Sequence, residues 1–183
     1  MVDVGQIGRG ERVLINGAGG GVGTIGVQIA KQYGAEVTGV DLANKLDRLR
    51  SLGFDHVIDY RNEDFTRSGR RYDLILDTKT SRSTFRYRRS LNPGGRYVTV
   101  GGRLPRLLQA FCLGPLISRV CGKHVRIVAL KPNKALNYVN GLFETSGLDC
   151  VIDGPYQLAD VPQAIRRFGE ATHVGKIVIT VAS

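Results

Sequence analysis

Short apolar runs alternate with amphipathic stretches along most of this chain of 183 residues. The apolar runs are rich in valine, isoleucine and leucine, which is typical of strands buried on both faces. The stretches between them carry apolar residues at helical spacing, and several end at a glycine, as helices commonly do. The predicted strands are residues 13–16, 36–41, 56–59, 72–77, 96–101, 124–130, 149–153 and 176–181. The predicted helices are residues 24–33, 43–52, 83–90, 133–145 and 159–168.

Strands that alternate with helices predict a parallel sheet with helices on both faces, an α/β architecture. The first six strands fit a doubly wound Rossmann sheet of order 3-2-1-4-5-6, whose ligand crevice lies where strands 1 and 4 diverge. Residues 1–148 would form this dinucleotide-binding domain, and residues 149–183 a C-terminal segment that returns toward a catalytic domain. The residues expected around the crevice, besides the turn after strand 1, are Asp41, Asp77, Thr78 and residues 100–103.

A glycine-dense turn joins the first predicted strand to the first predicted helix. Without side chains the main chain can approach a diphosphate closely, and the N–H groups of the first helical turn point at its charge. Glycines 17, 20 and 23 give the spacing GxxGxxG, which we prefer because the strand ends at Asn16. A second register, on glycines 21, 23 and 26, also fits GxGxxG. The candidate cofactor-binding residues in this turn are Gly17, Gly19, Gly20, Gly21, Val22 and Gly23.

Asp41 ends the second predicted strand, close to the distance from the glycines at which a ribose-binding acid is expected. Its carboxylate can accept hydrogen bonds from both adenosine ribose hydroxyls and would repel a 2′-phosphate, which favours NAD. Lys45 argues the other way, because a cation there could pair with a 2′-phosphate; alternatively, Lys45 is an exposed helix residue. Both NAD and NADP therefore remain open as the cofactor, with NAD slightly favoured.

Motifs along nearly the whole chain together resemble the zinc-free, quinone oxidoreductase-like branch of the medium-chain dehydrogenase/reductase superfamily. They are residues 13–24, 39–41, 50–53, 57–60, 72–77, 92–97 and 175–179. The resemblance implies hydride transfer from NAD(P)H to a small-molecule quinone, enone or related carbonyl, with pyrophosphate contacts at residues 20–22. The further contacts that it implies are Asp41, Lys45 and Tyr60 on the adenosine side, and Val100, Gly101 and Gly102 on the nicotinamide side.

Two features depart from that family's pattern. Its members normally carry a large N-terminal catalytic domain before the glycine motif, whereas 12 residues precede Val13 here. Residues 77–81 replace the small apolar residues and glycine that usually follow strand 4, so Lys79 would stand near the cofactor groove. No Ser/Tyr/Lys or Cys/His arrangement stands out as a proton donor. The catalytic residues therefore stay unknown, and we expect the chain alone to bind cofactor but to turn over substrate poorly.

The charge of the chain supports a second, less favoured hypothesis. The 26 lysines and arginines outnumber the 16 acidic residues, and such an excess attracts anions, including dinucleotides and nucleic acid. Residues 83–90 interleave aromatic side chains with arginines, as single-strand binders do. This would suit a catalytically weak module that binds RNA, single-stranded nucleic acid or a partner chain. The alternative for this stretch is an amphipathic helix with Phe85 inward and the arginines in solvent.

The remaining composition indicates a cytoplasmic protein without a metal or a membrane partner. The three cysteines and three histidines show no ligand spacing, so we expect free thiols and no zinc. Residues 1–12 lack the apolar core of a secretory leader. The apolar stretch 107–118 is shorter than the about 20 residues that span a bilayer, which indicates a buried or interface segment. Residues 104–120 and the sixth strand, at the sheet edge, predict a homo-oligomer or pairing with another chain.

Overall fold

The computed structural model describes residues 1–102, 104–128, 136–145 and 147–181. Its strands are β1 (Arg12–Asn16), β2 (Glu36–Asp41), β3 (His56–Asp59), β4 (Tyr72–Asp77), β5 (Leu91–Thr99), β6 (His124–Ile127), β7 (Ile152–Gln157) and β8 (Lys176–Thr180). Its α-helices are α1 (Gly21–Gln32), α2 (Leu46–Ser51), α3 (Thr84–Arg89), α4 (Leu104–Cys121), α5 (Leu136–Thr145) and α6 (Val161–Gly169). Short 3-10 turns at Ala43–Lys45 and Leu158–Asp160 lead into α2 and α6.

The first six strands form one parallel sheet in the order β3-β2-β1-β4-β5-β6, which confirms the predicted doubly wound topology. Asn16, the last residue of β1, pairs with Val40 on one side and with Asp77 on the other. This register brings the turn after β1 beside the ends of β2 and β4. Strands β7 and β8 pair in parallel as a separate two-stranded sheet.

Apolar residues cover both faces of the six-stranded sheet. Val13 and Ile15 pack on one face with Val27 of α1, and all three are fully buried. Leu14, which lies between them in β1, packs on the opposite face with Tyr87 and neighbouring residues. Successive side chains of a strand point to opposite faces, so a strand covered on both sides must be apolar throughout. This explains the near-continuous apolar runs in the sequence.

Helix α1 begins at Gly21, earlier than the predicted start at Thr24. The glycines pack this part of the helix tightly against the loop and the sheet. A Cβ on Gly23 would lie 2.3 Å from the carbonyl oxygen of Ala18, and one on Gly26 would lie 3.3 Å from Ile15 Cδ1. Close packing therefore outweighs the low helix propensity of glycine, which had suggested a longer turn.

The predicted turn at residues 92–95 lies within β5, so that strand begins earlier than expected. Leu91 pairs with Tyr72 and Arg96 pairs with Leu74, which forces the residues between Leu91 and Arg96 out of register as a bulge. Gly94, in this bulge, has a φ of 73°, a left-handed conformation that glycine adopts at little cost. The prediction of a separate turn before this strand is therefore wrong, because residues 92–95 bulge within β5 and Leu91 already pairs with Tyr72.

The apolar stretch expected to be buried or at an interface forms α4, an 18-residue helix that contains Pro115. Ala110, Gly114 and Ile117 are buried, whereas Phe111 and Val120 are each 73% exposed. None of the helices described is long and apolar enough to cross a membrane. Residues 129–130 of the predicted sixth strand and residues 133–135 of the predicted fourth helix lie outside the described residues.

Candidate functional site

Two grooves lie at the carboxyl edge of the six-stranded sheet. The first, of ≈ 370 Å³, is bordered by Gly17, Gly20, Gly21, Val22, Thr78, Lys79, Phe168, Gly169, Ala171 and His173. The second, of ≈ 540 Å³, is bordered by Leu42, Ala43, Asn44, Asp59, Arg61, Asn62, Glu170 and Thr172. Both volumes are in the range of small-molecule sites. Residues 168–173, at the end of α6 and in the loop that follows it, contribute to both grooves.

The glycine turn has the geometry of an anion cradle. Gly17 has a φ of 86°, and a Cβ there would lie 2.1 Å from Thr78 Oγ1, so this position requires glycine. Gly20 is the N-cap of α1, and no side chain caps the first N–H groups of that helix. These groups have no partner within the helix and carry the positive end of its dipole. Glycines 17, 20 and 23 thus serve as turn, cap and packing positions, which fits the preferred register.

Asp41 stands at the end of β2 as predicted, but the residue is only 6% exposed. Its Oδ2 accepts a hydrogen bond of 2.7 Å from the Gly19 N–H, and its Oδ1 accepts one of 2.9 Å from the Leu42 N–H. Lys45 Nζ lies 3.4 Å from the same Oδ1, and Lys45 is 3% exposed. The alternative that Lys45 is an exposed helix residue is therefore wrong. Asp41 and Lys45 form a buried pair behind the glycine turn.

A main-chain hydrogen bond links Tyr60 to Asp41. The Tyr60 N–H donates it to the Asp41 carbonyl at 3.2 Å. The tyrosine side chain is 43% exposed and does not border the second groove. The polar residues that do border it are Asn44, Asp59, Arg61, Asn62, Glu170 and Thr172. Sequence reasoning therefore identified the neighbourhood but selected a different residue from those that line the groove.

Asp77 was expected to contact the cofactor, but its carboxylate is fully buried and has a structural role. Its Oδ1 accepts hydrogen bonds from Asn16 Nδ2 at 2.8 Å and from the N–H groups of Lys79 and Thr80 at 2.9 and 3.0 Å. Its Oδ2 accepts one of 2.9 Å from Tyr97 Oη. Burial and the charge of Asp77 both raise the pKa of Tyr97, so this hydroxyl stays a donor. Asp77 thus fixes the loop after β4 instead of facing the groove.

The residues predicted for the nicotinamide side pack against the loop after β4. Val100 donates its N–H to the Asp77 carbonyl at 3.1 Å. Thr80 Oγ1 lies 2.5 Å from Thr99 Oγ1 and also hydrogen-bonds the Gly101 carbonyl. Gly102 has a φ of 134°, and a Cβ there would lie 2.3 Å from Thr80 Cβ. Thr78 borders the first groove as expected, whereas Arg103 lies outside the described residues.

The C-terminal segment crosses the glycine turn, which sequence reasoning missed. Gly175 donates its N–H to the Gly19 carbonyl at 2.8 Å, and Gly20 and Gly175 form an isolated parallel bridge. The Lys176 side chain reaches over Gly21, where a Cβ would lie 2.6 Å from Lys176 Cε. The sequence signal for this contact was the pair Gly175-Lys176 at the start of the last family-like motif. Nothing in the neighbouring sequence indicated that the pair lies at the groove.

His173 borders the first groove and stacks on Phe168, with ring centroids 5.1 Å apart. Burial lowers the pKa of His173, and the nearby charge of Lys45 lowers it further. Lys79, which borders the same groove, acts in the same direction. The groove therefore combines a neutral imidazole with positive charges and uncapped N–H groups, an arrangement that favours an anionic ligand.

Helix α3 presents one exposed aromatic side chain among its arginines instead of a ladder of several. Tyr87 is the buried aromatic residue, and Phe85 is 47% exposed, so the expectation that Phe85 faces inward is wrong. Arg86 lies 3.4 Å from Asp64, and Arg88 donates to Cys121 Sγ at 2.9 Å. Two of the three arginines of this helix are therefore already engaged within the fold.

The described residues hold no group of three or more histidine, cysteine, aspartate or glutamate side chains arranged for a metal ion. Cys112 and Cys150 are exposed and Cys121 is partly buried, and all three are free thiols.

The parallel sheet, its strand order and the glycine turn define a nucleotide-binding domain of the medium-chain dehydrogenase/reductase superfamily. Residues 52–179 match the family described as zinc-binding dehydrogenase. The chain belongs to that family.

Relatives of known identity include parts of large multienzymes. Over 192 residues the chain is 32% identical to polyketide synthase GfsB of Streptomyces halstedii, covering 99% of this chain and 3% of that protein. The CurF ER cyclopropanase of the curacin A biosynthetic pathway superposes on the whole chain with a TM-score of 0.84, at 26% identity, and the match covers 58% of its chain. The CurK enoyl reductase, with a TM-score of 0.78, 24% identity and the same coverage of both chains, shares the fold.

Proposed function

We propose that this chain is the NAD(P)H-binding domain of a reductase that acts on an enone or a related α,β-unsaturated carbonyl. The observation that carries the proposal is the uncapped start of α1, which faces a groove at the point where β1 and β4 diverge. The family and the polyketide synthase relative support a reductase. Enone reduction is favoured over quinone reduction because CurK, which shares the fold, is an enoyl reductase.

The residues of the first groove fit the diphosphate of a dinucleotide. A Cβ on Gly20 would meet no atom closer than 3.5 Å, so the space in front of the cap is open. The first N–H groups of α1 would donate to the diphosphate oxygens. Lys79, near Gly17, and Lys176, near Gly21, would add positive charge. When bound, the nicotinamide would supply the hydride.

The second groove fits the adenosine half, and Asp41 and Lys45 are next in the chain to Leu42 and Asn44, which border that groove. Asp59 and Asn62 in the second groove offer hydrogen-bonding groups for the adenosine. Both oxygens of Asp41 are already used, so a ribose hydroxyl would have to compete with Lys45 for Oδ1. A 2′-phosphate would instead attract Lys45 away from Asp41. The pair can therefore serve either cofactor, and we retain both NAD and NADP.

We further propose that the C-terminal segment, residues 149–183, packs against a second domain. This second domain would supply the substrate side of the cleft. Strands β7 and β8 and helix α6 surround an apolar depression of ≈ 200 Å³ lined by Val161, Ala164, Ile165, Phe168, Ile177 and Ile179. Ile165 and Phe168 are 65% and 66% exposed. Exposed apolar surface of this kind usually marks an interface. The chain spans 58% of the CurF chain, which has room for such a domain.

We also propose that the chain associates with a second copy of itself at one edge of the six-stranded sheet. Strand β6 forms that edge of the sheet, and α4 packs against it. Leu104, Phe111 and Val120 of this helix are each more than two thirds exposed. Association through this face would cover them. Light scattering tests this, and a monomer at high protein concentration would contradict it.

Cofactor titration of the intact chain, followed by nicotinamide fluorescence, tests the proposed binding. The informative variant is Gly20→Asp, because aspartate is a good N-cap that would occupy the N–H groups of α1 and repel a diphosphate. We expect the variant to fold and to bind NADH and NADPH at least tenfold more weakly. The control Gly20→Ala adds a Cβ without a charge and should retain most of the affinity. Equal binding by Gly20→Asp and the unchanged chain would remove the proposal.

A further inference from the structure

A third groove lies at the amino edge of the six-stranded sheet, opposite the cofactor grooves. It measures ≈ 490 Å³ and is bordered by the first residues of β1 to β4 and by the loop before β4. Arg12, Glu36, His56 and Tyr72 contribute from the strands, and Arg70 and Arg71 contribute from the loop. The proposed dinucleotide site uses none of these residues.

The groove carries an excess of positive charge. Glu36 is its only carboxylate among the residues described there, and both of its oxygens are engaged. Arg12 Nε lies 3.3 Å from Oε2, and His56 Nε2 lies 2.8 Å from Oε1. Neither Arg70 nor Arg71 pairs with a carboxylate in the described part of the chain, and both are exposed. Two guanidinium groups are thus left with hydrogen-bond donors and no counter-charge.

The hydroxyl of Tyr72 is a further donor without an acceptor. The tyrosine is 3% exposed, and its Oη is buried with no hydrogen bond of normal geometry to a described residue. Tyr72 itself borders the groove, together with Thr38, Arg70 and Glu36. A buried unpaired hydroxyl costs free energy, and a ligand oxygen would remove that cost.

We infer that this groove is a second anion site, which binds the phosphate group of a small phosphorylated molecule. Guanidinium groups bind phosphate through paired N–H donors, and adjacent arginines can engage different oxygens of one group. A phosphate monoester offers three acceptor oxygens, which suits donors from Arg70, Arg71 and Tyr72 together. A carboxylate carries a single negative charge and spreads its acceptor sites over two oxygens instead of three, so it should bind the same donors more weakly.

The test is an NMR titration with inorganic phosphate, carried out in the Gly20→Asp variant so that the glycine turn cannot account for the response. We expect saturable shifts in the amide signals of residues 69–72. The dissociation constant should be about 1 mM, which corresponds to weak binding. Acetate at the same ionic strength should bind at least fivefold more weakly. This outcome does not depend on whether the chain binds a dinucleotide.

Substitutions separate the site from general charge. Arg70→Gln with Arg71→Gln should weaken phosphate binding at least fivefold, whereas Arg67→Gln, an exposed arginine of the same loop outside the groove, should not. Tyr72→Phe should weaken phosphate binding without lowering the melting temperature, since the hydroxyl has no partner to lose. Shifts that do not saturate, equal binding of acetate, or an equal response in the double variant would each overturn the inference.

Discussion

Lys45 Nζ lies 3.4 Å from Asp41 Oδ1, and both side chains are more than nine-tenths buried. The sequence had suggested opposite uses for these residues, a ribose acceptor and a partner for a 2′-phosphate. Because of this contact, Lys45 limits how freely Asp41 can bind a ligand, and Asp41 limits Lys45 in the same way. We therefore expect a cofactor that reaches this point to displace one member of the pair, which would link the stability of the fold to the choice of cofactor.

Lys45→Met should reduce both the stability of the fold and the affinity for NADPH relative to that for NADH. Removing one member of a buried ion pair typically costs about 3–5 kcal/mol. The loss should be smaller here, about 2 kcal/mol, because Asp41 keeps the hydrogen bonds from the Gly19 and Leu42 N–H groups. The ratio of NADPH to NADH affinity should fall about tenfold, since a charge-assisted contact with the 2′-phosphate is lost. Urea unfolding and fluorescence titration measure the two effects.

Lys31→Met is the matched control, since Lys31 forms an ion pair with Asp55 at 2.9 Å on the surface of α1. Exposed pairs contribute about 0–1 kcal/mol, so this variant should lose little stability and keep the cofactor ratio. An unchanged ratio in Lys45→Met would show that Lys45 does not reach the 2′-phosphate.

Asp77→Asn should destabilise the fold by about 2–4 kcal/mol, because an amide nitrogen would face donors where a carboxylate oxygen now accepts. Tyr97→Phe, which leaves one acceptor of Asp77 unpaired, should cost less, about 1–2 kcal/mol. Asp47→Asn is the control, as its side chain is fully exposed. Urea unfolding would contradict the structural role of Asp77 if Asp77→Asn and Asp47→Asn were equally stable.

The glycines of the turn should differ sharply in what they tolerate. Gly23→Ala should lower stability by about 1–3 kcal/mol through overpacking, because its Cβ would lie 2.3 Å from the Ala18 carbonyl oxygen. Gly20→Ala should cost less than about 1 kcal/mol, since its nearest neighbour would be 3.5 Å away. Thermal unfolding measures both, and similar losses would mean that the two positions are not packed as described.

The parts of this structure that followed from sequence are those with local causes. Strand order came from apolar runs separated by helices, and the role of Gly17 came from its position directly after β1. These signals can be read locally, because an apolar run indicates a buried strand and a glycine indicates a turn without knowledge of which distant residues pack there.

The parts that did not follow depend on distant partners. Asp77 looked like a groove residue because it ends β4, and its use was decided by Tyr97, 20 positions later. The approach of Gly175 to Gly19 joins the two ends of the chain, and no periodicity encodes it. Lys45 was predicted either to meet a 2′-phosphate or to lie in solvent, and its burial against the carboxylate of Asp41 was not foreseen.

His173 should make cofactor binding depend on pH. Burial and the charge of Lys45 lower its pKa in the free protein, so the imidazole is neutral at pH 7. A diphosphate bound beside it would favour the protonated form and raise that pKa, so binding would take up a proton. Affinity should therefore rise as the pH falls from 8 and should level off below the pKa that His173 has in the free protein. The total gain should be about tenfold in affinity for each unit by which binding raises that pKa.

NAD⁺ is the suitable probe, since it has no 2′-phosphate that titrates in this range. His173→Gln should bind NAD⁺ with little dependence on pH, and the same slope in both proteins would place His173 away from the diphosphate.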